Sequence, residues 1–142
     1  MLSICCKFGE GWVKAAQIDR FGLARALKLG TKRALDDLGA SPDEEIIMDG
    51  KVNYLPKKFK LGKCLVDADN LVPIVSAASI YAKVRRDKFM VKLGVRYPLY
   101  RFEKHVGYGT REHTEALNSF GVIKYVHRTS YQPIARLVGA LS

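Results

Sequence analysis

Two short apolar runs, each released into a carboxylate, set the terms for this chain. Glu45-Ile46-Ile47-Met48-Asp49-Gly50 is one; Cys64-Leu65-Val66, leading into Asp67-Ala68-Asp69, is the other. Apolar runs of that length, bounded by turn residues, read as strands rather than helices. Between them lies a basic loop from Lys51 to Lys63 that also carries Lys57, Lys58 and Lys60. On either side the apolar spacing changes to three and four, the helical period. Strands alternating with helices place the chain in the α/β or α+β class.

Upstream, residues 11–18, GWVKAAQI, hold Trp12, Val13 and Ile18 and read as a further short strand. Asp19 then serves as a cap for helical positions Leu23, Ala26, Leu27, Ala34, Leu35 and Leu38. Gly30 interrupts that pattern, so two short helices or a bend are expected, with Gly39 and Ser41-Pro42 as the stop. Downstream, Pro73 fits the first turn of a long helix with Asn70 as a cap and Gly94 at its end. Ile74, Ala77, Ala78, Tyr81, Val84 and Lys88 are expected to share one face. After Pro98 and the loop His105-Val106-Gly107-Tyr108-Gly109-Thr110, Thr110 caps a helix whose His113, Ala116, Leu117 and Phe120 share a face, and Gly121 closes it. Residues 133–137 read as a last short helix. With no repeat, low-complexity tract or linker, residues 1–142 are expected to form a single domain, with 1–10 irregular.

Net charge adds a constraint on partners. Twenty-four Lys and Arg against fourteen Asp and Glu leave +10. An excess of that size favours a polyanion, because neutralised phosphates release counterions; the plainer reading is a basic protein kept dispersed by its lysines. No apolar run has the roughly 18 residues that a bilayer span needs. MLSICCKFGEGW lacks the layout of a secretory signal, so no membrane role and a cytoplasmic location are expected. Cys5, Cys6 and Cys64 suit neither a disulfide framework nor a zinc site.

The residues able to carry chemistry are few. Asp49 and an acid after the second run, Asp67 or Asp69, are placed to leave neighbouring strands at one sheet edge. Hard divalent cations take such oxygen ligands, and pairs of them catalyse phosphoryl transfer. A strand-end Asp is also an ordinary turn residue. In SAASIYAKVRRD, Ser76, Ser79, Lys83 and Arg86 recur at helical spacing, where small residues and a lysine admit a phosphate backbone; a packed helix with a solvated basic side has the same pattern. Gly107-Tyr108-Gly109 leads into a helix start and offers backbone amides and an aromatic face, although glycines more often mark plain turns. His105, His113 and His127, taken singly, read as packed or solvated.

Taken together, these segments resemble the ribonuclease HII family in order and spacing. The carrying stretches are Met48-Asp49-Gly50, Asp69 with Pro73 leading into SAASIYAKVRRD, Tyr97-Pro98, HVGYGTREH, and His127-Arg128-Thr129-Ser130-Tyr131-Gln132-Pro133. GWVKAAQIDRFGLARAL resembles the family's third strand and following helix, so coverage runs from about residue 11 to 137. The resemblance implies a ribonuclease H-like α/β core with a C-terminal helical part closing over a duplex. It implies that Asp49 and Asp69 are two of four metal-binding acids, the spacing to Pro73 selecting Asp69 over Asp67. It assigns Tyr108 to the deoxyribose beyond a ribonucleotide, Ser76, Ser79 and Lys83 to backbone phosphates, and Arg128 to substrate binding. The implied substrate is an RNA–DNA hybrid, or a DNA duplex with an embedded ribonucleotide. It would be cut on the 5′ side of the ribonucleotide with Mg2+ or Mn2+, leaving a 3′-hydroxyl and a 5′-phosphate.

The family pattern also includes an early strand with an Asp-Glu pair, followed by Gly-Arg-Gly. Neither occurs in MLSICCKFGE. The expectation is therefore a core lacking its first two strands, an incomplete two-metal site, and weak or no cleavage by this chain alone. Val106 stands where the family usually has lysine. The alternative is a non-catalytic nucleic-acid-binding fragment from an incomplete gene model.

Overall fold

The computed structural model describes residues 7–139, which leaves Cys5 and Cys6 outside the described residues. Those residues form two compact units divided between Ile80 and Tyr81. The mixed α/β class expected from the sequence holds.

In the first unit, α1 (Ala15–Phe21) and α2 (Leu23–Leu38) precede a parallel pair of strands, β1 (Ile46–Asp49) and β2 (Gly62–Leu65). Ile46 pairs with Gly62 and Asp49 with Leu65. The loop between them turns without a helix, tucking Phe59 into the interior while Lys51, Lys57, Lys58, Lys60 and Lys63 stay exposed. A one-turn helix, α3 (Ala68–Leu71), follows β2 and packs against β1.

The strand expected over residues 11–18 is absent: 11–14 are irregular and α1 takes the rest. The backbone groups that a strand would use in a ladder are engaged elsewhere. The Glu10 amide donates to Asp37 Oδ2 at 2.8 Å, Arg33 donates to the Trp12 carbonyl, and the Lys14 amide donates to Gln17 Oε1 at 3.1 Å. Asp19 accordingly lies inside α1 rather than capping α2, and the helical break falls at Gly22.

Gly30 does not divide α2, which runs unbroken from Leu23 to Leu38. A Cβ on Gly11 would sit 1.8 Å from the Gly30 carbonyl oxygen, so the two glycines let the N-terminal segment lie directly on the helix. That close approach offsets the roughly 1 kcal/mol that glycine costs in a helix interior. Gly39 ends α2 as expected, in the left-handed conformation, with its amide on Asp36 O and that of Ala40 on Leu35 O; this is the paired bonding of a Schellman stop.

Helix α4 (Pro73–Arg96) begins in the first unit and continues in the second. Pro73 takes its first position as expected, but Asn70 belongs to α3 instead of acting as a cap. The face drawn through Ile74 and Val84 is not a buried one, since these are 63% and 44% exposed. Nor does Gly94 terminate the helix. It is a contact point at which an added Cβ would meet Glu103 Oε2 at 2.6 Å and the Glu103 amide at 3.1 Å.

The second unit continues through a 3-10 turn (Pro98–Tyr100), α5 (Phe102–His105), α6 (Arg111–Phe120) and α7 (Gln132–Gly139). Thr110 caps α6 by accepting from the His113 amide at 3.2 Å, and Gly121 closes it, both as expected. Tyr100, Phe102, Ala116, Leu117 and Ile134 form the core. The Tyr100 hydroxyl reaches Phe120 O at 3.0 Å and Gly121 O at 2.8 Å, which satisfies the end of α6.

Phe102 is 1% exposed at the centre of that core. Phe102→Ala is expected to lower stability by about 3–5 kcal/mol, the usual cost of emptying a buried aromatic site. Thr110→Ala is expected to cost about 1 kcal/mol, a typical N-cap loss. Urea unfolding followed by circular dichroism measures both.

Candidate functional site

In the first unit, Asp49 ends β1 and is exposed, and its Oδ1 accepts from the Ala68 amide at 2.9 Å. Ala68 opens α3, so the Asp49 carboxylate is tied to the residue next to Asp69. Asp69 lies in the first turn of α3, half-buried, rather than at the exit of a strand. The physical reason is Asp67, whose backbone is left-handed (φ 56°, ψ 31°) and turns the chain into α3 as soon as β2 has ended. Asp is among the residues that tolerate this conformation, and the Asp67 carbonyl accepts from the Asn70 amide at 3.0 Å. Asp67 thus has a turn role of its own.

Magnesium and manganese favour several oxygen donors around each ion. Among the described residues no group of three or more His, Cys, Asp or Glu side chains is gathered to hold a metal. Asp49 has also committed one oxygen to the Ala68 amide. These donors do not by themselves make a two-metal cage.

Ser76 is half-buried and Ser79 exposed in the first turns of α4. In the second unit, Lys83 is exposed and bonds Asp87 Oδ2 at 2.8 Å. That hydrogen bond is the main reason its pKa is raised, with the Asp87 charge next. Arg86 places its guanidinium 5.0 Å from the centroid of the Tyr108 ring, and Tyr108 is 55% exposed. A Cβ on Gly107, where φ is +80°, would meet Met90 Cε at 2.9 Å, so the loop lies close to α4 within this unit. Arg128 is half-buried, with its guanidinium 4.7 Å from the Tyr131 centroid. Lys124 stands over Tyr125 in the same way at 5.1 Å. A cation against an aromatic face offers a phosphate contact beside a stacking surface. The pairings escaped the sequence reading; for Lys124–Tyr125 and Arg128–Tyr131 the available signal was the mixture of basic and aromatic residues in KYVHRTSY.

The chain matches the family model described as Ribonuclease HII over residues 5–134. It is 39% identical over 132 residues to a protein from Sphingopyxis alaskensis named Ribonuclease HII, covering 93% of this chain and 65% of that one. A protein of the same name from Dichelobacter nodosus is 41% identical over 127 residues, covering 89% and 65% respectively. Another from Wolbachia sp. subsp. Brugia malayi is 42% identical over 128 residues, covering 90% and 61%.

The chain belongs to the ribonuclease HII family. It spans a little under two thirds of the length of these curated relatives. No helix among the described residues is long and apolar enough to cross a membrane.

Three histidines inside the matched span, which sequence reasoning treated one by one, come together in the second unit. His105, His113 and His127 are all buried and lie together. His105 stacks on His113 with ring centroids 4.3 Å apart, and the Nε2 atoms of His113 and His127 are 3.3 Å apart. Burial pushes the His113 pKa down, aided by His105 and opposed by its hydrogen bond to the Tyr108 carbonyl. Burial and then the nearby His113 bring His127 down to about 4.

A depressed imidazole pKa means that the unfolded chain binds more protons than the folded one below about 6.5, the ordinary imidazole value. Stability is therefore expected to be full above that pH and to fall as the pH drops towards about 4. His127→Phe removes one of these groups and should flatten the loss. Urea midpoints measured across this range compare the two proteins.

Proposed function

We propose that this chain is a ribonuclease HII scaffold that grips RNA–DNA hybrids, or DNA duplexes containing a ribonucleotide, and contributes Asp49 and Asp69 to a divalent-metal site. By itself it cleaves weakly or not at all. The family match over residues 5–134 carries the first part. The second rests on the donor set, since the described residues gather no third metal-binding side chain around these two acids. Asp49 and Asp69 would hold part of such a site, and a divalent ion such as Mg2+ or Mn2+ bound there would supply Lewis-acid chemistry to phosphodiester hydrolysis.

The chain's own contributions to binding are more specific. Tyr108, exposed with Arg86 against its ring, is placed to pack on a sugar while the guanidinium meets a neighbouring phosphate. Lys83 keeps its charge beside Asp87 and gives a second phosphate contact. Ser76 and Ser79 offer hydroxyls, and Arg128 a further cation. The net charge of +10 supports a polyanionic partner.

The test is a labelled DNA duplex with one ribonucleotide, incubated with Mg2+ or Mn2+ and the folded chain, its Asp49→Asn form or its Asp69→Asn form. Salt-sensitive binding with little or no cutting is expected, and neither substitution should weaken binding. Efficient cutting 5′ of the ribonucleotide, lost in both variants, would show a working metal site and overturn the weak-activity reading. Tyr108→Ala should weaken binding to the ribonucleotide duplex several-fold, and weaken binding to plain DNA less. Absence of duplex binding at low salt would remove the nucleic-acid reading altogether.

A further inference from the structure

The ring nitrogens of the three buried histidines are all engaged, and their partners fix where each proton sits. The Ile123 amide donates to His127 Nδ1 at 3.0 Å, so the His127 proton is on Nε2. That Nε2–H points to His113 Nε2, 3.3 Å away, which must then accept. The His113 proton is thereby placed on Nδ1, from which it donates to the Tyr108 carbonyl at 3.0 Å. In His105 the Gly107 amide donates to Nδ1 at 3.2 Å, and Nε2–H donates to the Tyr100 carbonyl at 2.8 Å. Reversing any one tautomer sets two donors or two acceptors against each other in a buried place, which costs more than the bond it breaks.

The chain of bonds ends on Tyr108. Its carbonyl accepts from both His113 Nδ1 and the Thr110 amide, the latter at 2.8 Å, and its own amide donates to the His105 carbonyl at 2.8 Å. Both backbone polar groups of Tyr108 are thus held from within the histidine cluster, while its side chain remains outside. We propose that His127 and His113 are positioning residues for ribonucleotide recognition: His127 fixes the tautomer of His113, and His113 fixes the backbone that aims the Tyr108 ring at the sugar. This rests on the reading of Tyr108 given above. It adds two residues that touch no substrate, and it assigns the buried imidazoles a purpose besides packing.

Two measurements on the 142-residue chain test it. Long-range nitrogen–proton NMR of histidine-labelled protein at pH 7.5 should show His105 and His127 as Nε2–H tautomers and His113 as Nδ1–H. A His113 signal averaged between tautomers, or held as Nε2–H, overturns the proposal without any variant having to fold. The second measurement is the ratio of affinities for the single-ribonucleotide duplex and the matching all-DNA duplex. His127→Phe removes the donor to His113 and is expected to mix its tautomers and lower the ratio several-fold. His127→Gln places an amide N–H near the former Nε2 and is expected to restore both.

Equal loss in the phenylalanine and glutamine variants would mean a packing role and would overturn the proposal. So would an unchanged ratio in His127→Phe when its His113 tautomer has mixed. The reading of Tyr108 fails separately. If Tyr108→Ala leaves the ratio unchanged, this residue does not read the sugar. The tautomers and the Tyr108 amide shift in the two His127 variants then still decide whether the histidines hold its backbone.

Discussion

Phe102 touches each of the three buried imidazoles, with ring centroids 5.7 Å from His105, 5.7 Å from His113 and 5.8 Å from His127. Burial at this depth disfavours the charged imidazole, which holds the pKa values of His113 and His127 down, so these two pack against Phe102 best in their neutral forms. The rest of the second unit follows from that constraint. Tyr100 stacks on Phe102 at 5.6 Å and spends its hydroxyl on the end of α6. The loop to α6 hangs from His105 at one side and His113 at the other.

Chemistry is distributed between the two units. The first unit carries the paired acids, held by a strand end and a one-turn helix that share a hydrogen bond through Ala68. The second carries cations laid against aromatic rings, at Arg86 with Tyr108 and at Arg128 with Tyr131. Acids suited to cations and cation–ring pairs suited to a sugar–phosphate chain are different tools. Neither alone amounts to a nuclease, and membership of the ribonuclease HII family is what joins them into one reading.

Much of the local structure was legible because single residues dictate it. Pro73, Thr110, Gly39 and Gly121 mark helix ends through backbone geometry that does not depend on distant contacts. The two apolar runs became β1 and β2 because each supplies the other with a parallel partner. What the sequence hid depends on partners. Residues 11–18 look like a strand, but strands require a neighbour, and here Asp37 and Arg33 take the backbone groups first. Gly30 and Gly94 look like breaks, yet both are places where another segment comes close. Asp69 was expected at a strand exit and lies in a helical turn because Asp67 adopts a left-handed conformation that composition does not reveal. The histidine cluster was invisible one residue at a time, since nothing in the spacing of residues 105, 113 and 127 says that they meet.

Val106 has a consequence for the same loop. Its φ of 43° puts a β-branched side chain in the left-handed region, next to Gly107 at 80°. For such a residue this is a strained conformation, of the kind that persists only where its surroundings impose it. The His105 ring, holding the Gly107 amide, is the neighbouring restraint. The backbone tension at Val106 and the His105–Gly107 bond are thus separate features of one loop, and glycine at position 106 would relieve the first while leaving the second in place.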